Sequence, residues 1–286
     1  MSKLSIITPV YNGERFIEYC LQNVLEQKCI DAEHIIVDGG STDATIEIVK
    51  RYASLHPYVR WISEKDKGQS DAMNKGLNMA SGDIVSFLNI DDFYEPNVLN
   101  RILTYFEGLS RPSLLVGNCN VFGEDDVLSF VNRPNKLKLR DLLYGSAANP
   151  IPMNPSAYFY HISLHDEIGL YDVEKHYCMD VDFILKAVQV ANVRYFDEIW
   201  GNYRQIPGTK TFEDLHGGEQ KRRLEALMKK YWLQLPLPQR WYVPIAYRFY
   251  RDVDWPRYKY FIDDPTNLFR VLKKKIYNAR KSTLSS

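Results

Sequence analysis

Residues 81–92 read Ser81-Gly82-Asp83-Ile84-Val85-Ser86-Phe87-Leu88-Asn89-Ile90-Asp91-Asp92. The apolar run Ile84–Leu88 is short and rich in Ile, Val and Phe, which predicts a buried strand. Two adjacent carboxylates, Asp91 and Asp92, follow its end. Side by side they repel, and they cost stability unless a cation sits between or beyond them. A hard cation such as Mg²⁺ or Mn²⁺ does this while taking phosphate oxygens, the usual way to bind a nucleotide diphosphate. The pair equally suits a helix N-cap followed by a first-turn acid. Residues 81–92 alone leave both readings open.

The flanking sequence repeats the pattern. Leu4–Ile7 predicts a first strand, after which Phe16, Ile17, Cys20, Leu21 and Val24 recur at helical spacing. His34–Val37 and Val59–Ile62 predict the next two strands, with helices around Ile46–Ala53, over Ser70–Ala80 and from about Asn97 to Glu107. This alternation makes βα units and a mostly parallel central sheet flanked by helices. Each strand ends in a polar cluster: Thr8-Pro9-Val10-Tyr11-Asn12, Asp38-Gly39-Gly40-Ser41-Thr42-Asp43, Asp66-Lys67-Gly68 and Asn89-Ile90-Asp91-Asp92. Open α/β sheets bind ligands beyond the carboxyl ends of their strands. Four consecutive polar ends therefore point to one shared site. Tyr11 suits stacking on a base and Asp38 suits accepting from a base or ribose; singly, each also suits a packing aromatic and a turn former.

Beyond about residue 111 the rhythm loosens. A Pro-rich loop spans Asn149–Pro155, a strand-like run covers Ala157–Tyr160, and a helix runs from about Asp180 to Val190. From Glu219 a further helix, Lys221–Tyr231, precedes Pro236 and Pro238. The expected division is a first half over 1–110, a second half of the same domain over 111–218 and a mainly helical extension over 219–286.

The ordered motifs resemble family 2 glycosyltransferases. The resemblance rests on Thr8-Pro9-Val10-Tyr11-Asn12, Asp38–Asp43, Asp71-Ala72-Met73-Asn74-Lys75-Gly76 and Ser81–Asp92. It covers about residues 4–107 and continues loosely to about 218. It implies a nucleotide-sugar-binding fold of the GT-A type, a divalent metal and inversion at the anomeric carbon, with the half over 1–110 binding donor and the half over 111–218 binding acceptor. By position, Thr8, Pro9, Tyr11, Asp38 and Asp66 would hold the nucleoside. Asp91 would touch ribose and metal, and Asp92 the metal. Cys178-Met179-Asp180-Val181-Asp182-Phe183 resembles the motif whose Asp is the catalytic base, which makes Asp180 that base. Asp182 is then expected to orient a neighbour or bind acceptor, with Asn154 and Tyr158 as further acceptor candidates. Met179 stands where the family often has Glu, Asn89 where it often has Asp, and Met73 where many members carry an Arg on the diphosphate. Lys67, Lys75 or Lys210 would supply that charge, and His216 is the candidate late metal ligand.

The chain has 286 residues, 36 basic and 36 acidic, in ordinary globular proportions that exclude a disordered or fibrous protein. The zero sum hides a split: residues 219–286 hold 16 basic and 6 acidic side chains and 13 of the 38 aromatics. Interleaved Trp, Tyr, Lys and Arg suit an anionic membrane surface; packing on the acidic body is the competing expectation. No nucleic-acid motif occurs. No leader or membrane-spanning run is seen, and Cys20, Cys29, Cys119 and Cys178 are scattered, so the expected location is cytoplasmic and peripheral on the inner face of the membrane. The absence of G-x-G-x-x-G and of any Gly-Lys pair argues against dinucleotide and P-loop binding. The expected activity is inverting transfer from a nucleotide-diphosphate sugar, a UDP-sugar first, to a glycan or lipid-linked acceptor. The alternatives are a non-catalytic nucleotide-sugar binder and a sugar nucleotidyltransferase.

Overall fold

Strand β1 (Leu4–Val10) lies between β2 (Ala32–Asp38) and β4 (Ile84–Phe87), and β3 (Val59–Ser63) extends the far side of β2. All these pairings are parallel. The computed structural model describes residues 3–174, 177–206 and 219–252. Helices α1 (Ile17–Glu26), α2 (Thr45–Leu55) and α3 (Gln69–Met79) connect the strands. Successive side chains point to opposite faces of a strand. Ile7, Ile35 and Val37 accordingly meet Ala72, Met73 and Leu77 of α3, whereas Val10 and Ile36 meet Ile17, Leu21 and Val49 of α1 and α2. Gly76 lets α3 close on the sheet, because a Cβ there would lie 2.3 Å from Ile7 Cγ2.

The sheet continues in mixed fashion. Its order is β3-β2-β1-β4-β8-β6-β9-β5, with β7 beside β6. The short β5 (Phe93–Tyr94) leads into α4 (Val98–Phe106). β6 (Ser113–Phe122) runs antiparallel to β7 (Leu128–Asn132) and β8 (Tyr158–His161) and parallel to β9 (Asn192–Arg204). The periodicity predicts neither β6 nor β9, since both carry many polar residues. Those residues satisfy one another across the strands: Asn118 donates to Asp197 at 2.8 Å, Tyr195 to Asn118 at 2.7 Å and Asn120 to Asn202 at 2.8 Å. Short α5 (Leu139–Leu142) and α6 (Leu164–Ile168) precede α7 (Met179–Val190).

Helices α8 (Glu219–Trp232) and α9 (Gln239–Asp252) pack on this body. Met228, Tyr231, Trp232, Leu235, Val243 and Tyr247 are buried in the cluster that includes Ile7, Phe87 and Phe183. The Trp232 and Tyr247 rings meet edge-on with centroids 5.2 Å apart. The aromatics of this part of the segment thus divide between core and surface. Among the described residues, no helix is long and apolar enough to cross a membrane.

The Ser81-Gly82 turn fixes the opposite end of the sheet. Glu33, 2% exposed, accepts from Ser5 Oγ at 2.7 Å, Ser81 N at 2.6 Å and Ser81 Oγ at 2.7 Å, and pairs with Arg60 at 2.8 Å. Burial alone would raise its pKa, but the bonds from Arg60, Ser5 and Ser81 outweigh it and hold the carboxyl at about 2. A depressed folded pKa gives stability that is complete above the unfolded value and lost as pH falls through the folded one. Urea unfolding should therefore show this contribution fading as pH falls from about 4.5 towards 2. Glu33→Ala, which removes the buried acceptor of two hydroxyls, the Ser81 N–H and Arg60, should cost about 2 kcal/mol at neutral pH, with the difference from wild type shrinking in acid.

Candidate active site

The register brings the strand ends level, with Val10 opposite Asp38 and Asp38 opposite Ser63. The loops beyond them are stitched together. Asn12, in a left-handed conformation at φ 48°, donates its N–H to Ser41 Oγ at 2.7 Å and accepts from Thr42 N at 2.9 Å. Asp38 is fully buried. Its carboxylate accepts from Gly40 N at 3.1 Å, Ser41 N at 3.0 Å, Ser63 Oγ at 2.6 Å and the Ser41 hydroxyl. Asp66 accepts from Gly68 N at 2.8 Å and lies against Gly39, where a Cβ would meet its Oδ2 at 2.4 Å. Only a glycine permits that approach. Tyr11 is exposed at the rim, and Pro9 is half-buried beside it.

Thr8 is buried with its hydroxyl 2.9 Å from His34 Nε2, so its side chain supports the strand end from within the sheet. Lys75 pairs with Glu64 at 2.9 Å and Asp71 at 3.5 Å. Met73 is buried in the core. Lys67 is exposed on its loop. Lys210 and His216 lie outside the described residues.

Asp92 is fully buried next to the half-buried Asp91. Burial first, then the charge of Asp91, pushes the Asp92 carboxyl well above the usual carboxylate range. Burial likewise raises Asp91, while the Arg204 guanidinium opposes the shift. Three donors hold Asp92: Asn154 Nδ2 at 2.7 Å and Asn89 Nδ2 at 2.8 Å on Oδ2, and Arg204 N at 3.3 Å on Oδ1. Asn89 therefore does what an Asp cannot, donating to its neighbour's carboxylate. Asn154 is itself buried and fixed by accepting from Ser156 N at 2.9 Å and Ser156 Oγ at 2.6 Å. It touches the acidic pair from beneath.

Two adjacent carboxylates, one of them fully buried, form a site that favours a divalent cation, so the donor chemistry fits one. Among the described residues no group of three or more metal-ligating side chains converges. Arg204, which no sequence motif marks, closes β9 and lies over Phe93 at 4.6 Å and Tyr19 at 4.9 Å. Its position follows from the β5–β9 pairing that brings Phe93 opposite Asn202.

Asp180 sits in the first turn of α7, preceded by Cys178 in a left-handed conformation at φ 56°. Ser70 Oγ at the start of α3 donates to Met179 Sδ at 3.3 Å, which holds the start of α7 against the start of α3. Burial first, and the Asp180 charge after it, pushes the Tyr158 hydroxyl well up. Tyr158 is fully buried and stacks on Phe183 with centroids 5.8 Å apart. Asp182 faces away from that cluster. It accepts from Tyr231 OH at 2.6 Å, pairs with Lys186 at 2.9 Å and lies 3.7 Å from Lys230. Burial would raise its carboxyl, but these partners hold it below its ordinary value. Of the three acceptor candidates, Asn154 and Tyr158 thus lie beneath the surface, and Asp182 ties α8 to α7.

Residues 5–156 match the family described as glycosyl transferase family 2. A chondroitin synthase of Escherichia coli is 35% identical over 127 residues, which are 44% of this chain and 18% of that protein. An uncharacterized glycosyltransferase of Mycobacterium tuberculosis is 33% identical over 192 residues, 65% of this chain and 69% of that one. Among solved structures, Staphylococcus aureus TarS 1–349 in complex with UDP has a TM-score of 0.62 at 19% identity, covering 94% of this chain and 75% of that one. The mannosyltransferase PcManGT of Pyrobaculum calidifontis, in complex with GDP-Man and Mn²⁺, has a TM-score of 0.60 at 17% identity, covering 88% and 70%. These last two are likenesses of fold.

Proposed function

The chain belongs to glycosyl transferase family 2, and on that premise we propose an inverting transfer from a nucleotide-diphosphate sugar to a hydroxyl of a glycan or lipid-linked saccharide. The carrying observation is that one edge of the sheet gathers the Asp91–Asp92 pair, the Asp38 and Asp66 loops and the helix start bearing Asp180. The donor is a UDP-sugar in the first instance, as the UDP complex of TarS suggests. Residues 1–110 bind it, and 111–218 present the acceptor.

In this reading Tyr11 stacks on the base, and the Asp38 and Asp66 loops hold the nucleoside. Asp180 takes the proton from the acceptor hydroxyl as its oxygen attacks the anomeric carbon. The bond to the diphosphate breaks on the opposite side, and its electron pair leaves with the nucleotide. Bound Mg²⁺ or Mn²⁺ would offset the charge of the leaving group; Asp91 and Asp92 would hold it, with His216 the candidate third ligand. Arg204, which also pairs with Asp126 at 3.2 Å, adds positive charge felt by Asp91, the charge that buried Met73 does not supply. Asn154 and Asn89 orient Asp92. A non-catalytic binder would keep the acidic pair but has no use for Asp180. The protein works in the cytoplasm, peripherally on the inner face of the membrane, where a lipid-linked acceptor is presented.

A screen of nucleotide sugars with Mg²⁺ or Mn²⁺, read by binding and by slow hydrolysis, identifies the donor. Asp180→Asn should keep donor binding and lower transfer by about 10³-fold; transfer at the wild-type rate would reject Asp180 as the base. Asp92→Ala should abolish metal-dependent donor binding. Asn154→Ala, one shell removed, should weaken it about tenfold with little change in binding measured without metal.

A further inference from the structure

Helix α9 carries apolar residues on two opposite sides. Val243 and Tyr247 are buried against the body. At Gly145, φ +85°, a Cβ would press on the Tyr247 ring at 2.9 Å. On the other side Trp241, Ile245 and Phe249 recur every fourth residue, which aligns them on one helical face. They are 74%, 69% and 60% exposed. Leu233 and Leu237, between α8 and α9, are exposed as well. Single exposed apolar side chains are ordinary, but a Trp-led row on one helix is not. Exposed Tyr242 and Arg248 flank the row, and exposed Lys229 and Lys230 end α8.

Charge decides what covers this face. Residues 219–252 contain eight basic and three acidic residues, and residues 253–286 contain the same numbers. Two copies meeting face to face, or residues 253–286 folding over the face, would set cation against cation. An anionic lipid surface is complementary, and it also takes Trp and Tyr rings at headgroup depth and aliphatic side chains just below. We propose that the exposed face of α9 docks on anionic lipid headgroups, with Trp241, Ile245 and Phe249 entering the headgroup boundary and Arg248 and Lys229 on the phosphates. Contacts run from this helix to α7: Tyr247 meets Trp232, and the adjacent Tyr231 bonds Asp182. The inference deepens the membrane location proposed above and rests on it, but its test reads binding, not transfer.

The full-length protein is sedimented with phosphatidylcholine vesicles with and without phosphatidylglycerol. Wild type should bind the anionic vesicles about tenfold more tightly or better, and weaken as salt rises from about 0.1 to 0.5 M. The double variant Trp241→Glu with Ile245→Glu should lose about tenfold or more of that binding and keep its rate of donor hydrolysis. Trp241→Phe should keep binding but lose part of the fluorescence quenched by brominated lipid. Equal vesicle binding by the double variant, absence of wild-type binding, or quenching unchanged in Trp241→Phe would overturn the proposal. So would a lipid-free dimer that the double variant converts to monomer, since a second copy would then cover the face.

Discussion

A buried carboxylate beside a second one is the constraint around which this molecule is arranged. Asp92 has no access to water, and Asp91 stands next to it. The surrounding chain meets that cost with donors from three separate elements: Asn89 in the same loop, Asn154 from the Pro-rich loop and the backbone of Arg204 at the end of β9. Each is placed by a different strand pairing. The mixed half of the sheet is thus as necessary to the acidic pair as the parallel half that bears it.

The loops that follow β1, β2 and β3 are built on the opposite principle. Asp38 and Asp66 spend their oxygens on the loops around them, and Asn12, Ser41 and Thr42 tie the β1 loop to the β2 loop. Preorganised loops lose little freedom on binding, which is the physical advantage of such a network. The acidic pair, by contrast, sets two carboxylates side by side with Asp92 cut off from water, and its three donors do not remove that repulsion. The strand ends are thus rigid in their loops and electrostatically strained at the acidic pair.

The C-terminal helices change the meaning of the charge split in the sequence. The Lys- and Arg-rich segment is neither a free tail nor wholly a patch on the body over 219–252. Tyr231 and Trp232 enter the common core, Lys230 and Tyr231 meet Asp182, and Trp241 and Ile245 face outward. One short stretch both braces the helix that carries Asp180 and presents a surface of its own.

By itself the sequence determined the parallel strands and the ends where polar residues collect. Strand and helix periods are local, and a polar cluster after an apolar run needs no knowledge of the rest of the chain. It also marked Asp91, Asp92 and Asp180, because their motifs are contiguous. Only the tertiary structure gives the partners of Asn154, Arg204, Tyr158 and Asp182. The polar strands β6 and β9 become readable only once paired, since their side chains satisfy each other across the sheet. Arg204 reaches the acidic pair through that pairing. Asp182, two residues from the candidate base, is turned by the helix onto Tyr231, a residue 49 positions away. A carboxylate's partner depends on which element packs against it, and no spacing along the chain encodes that.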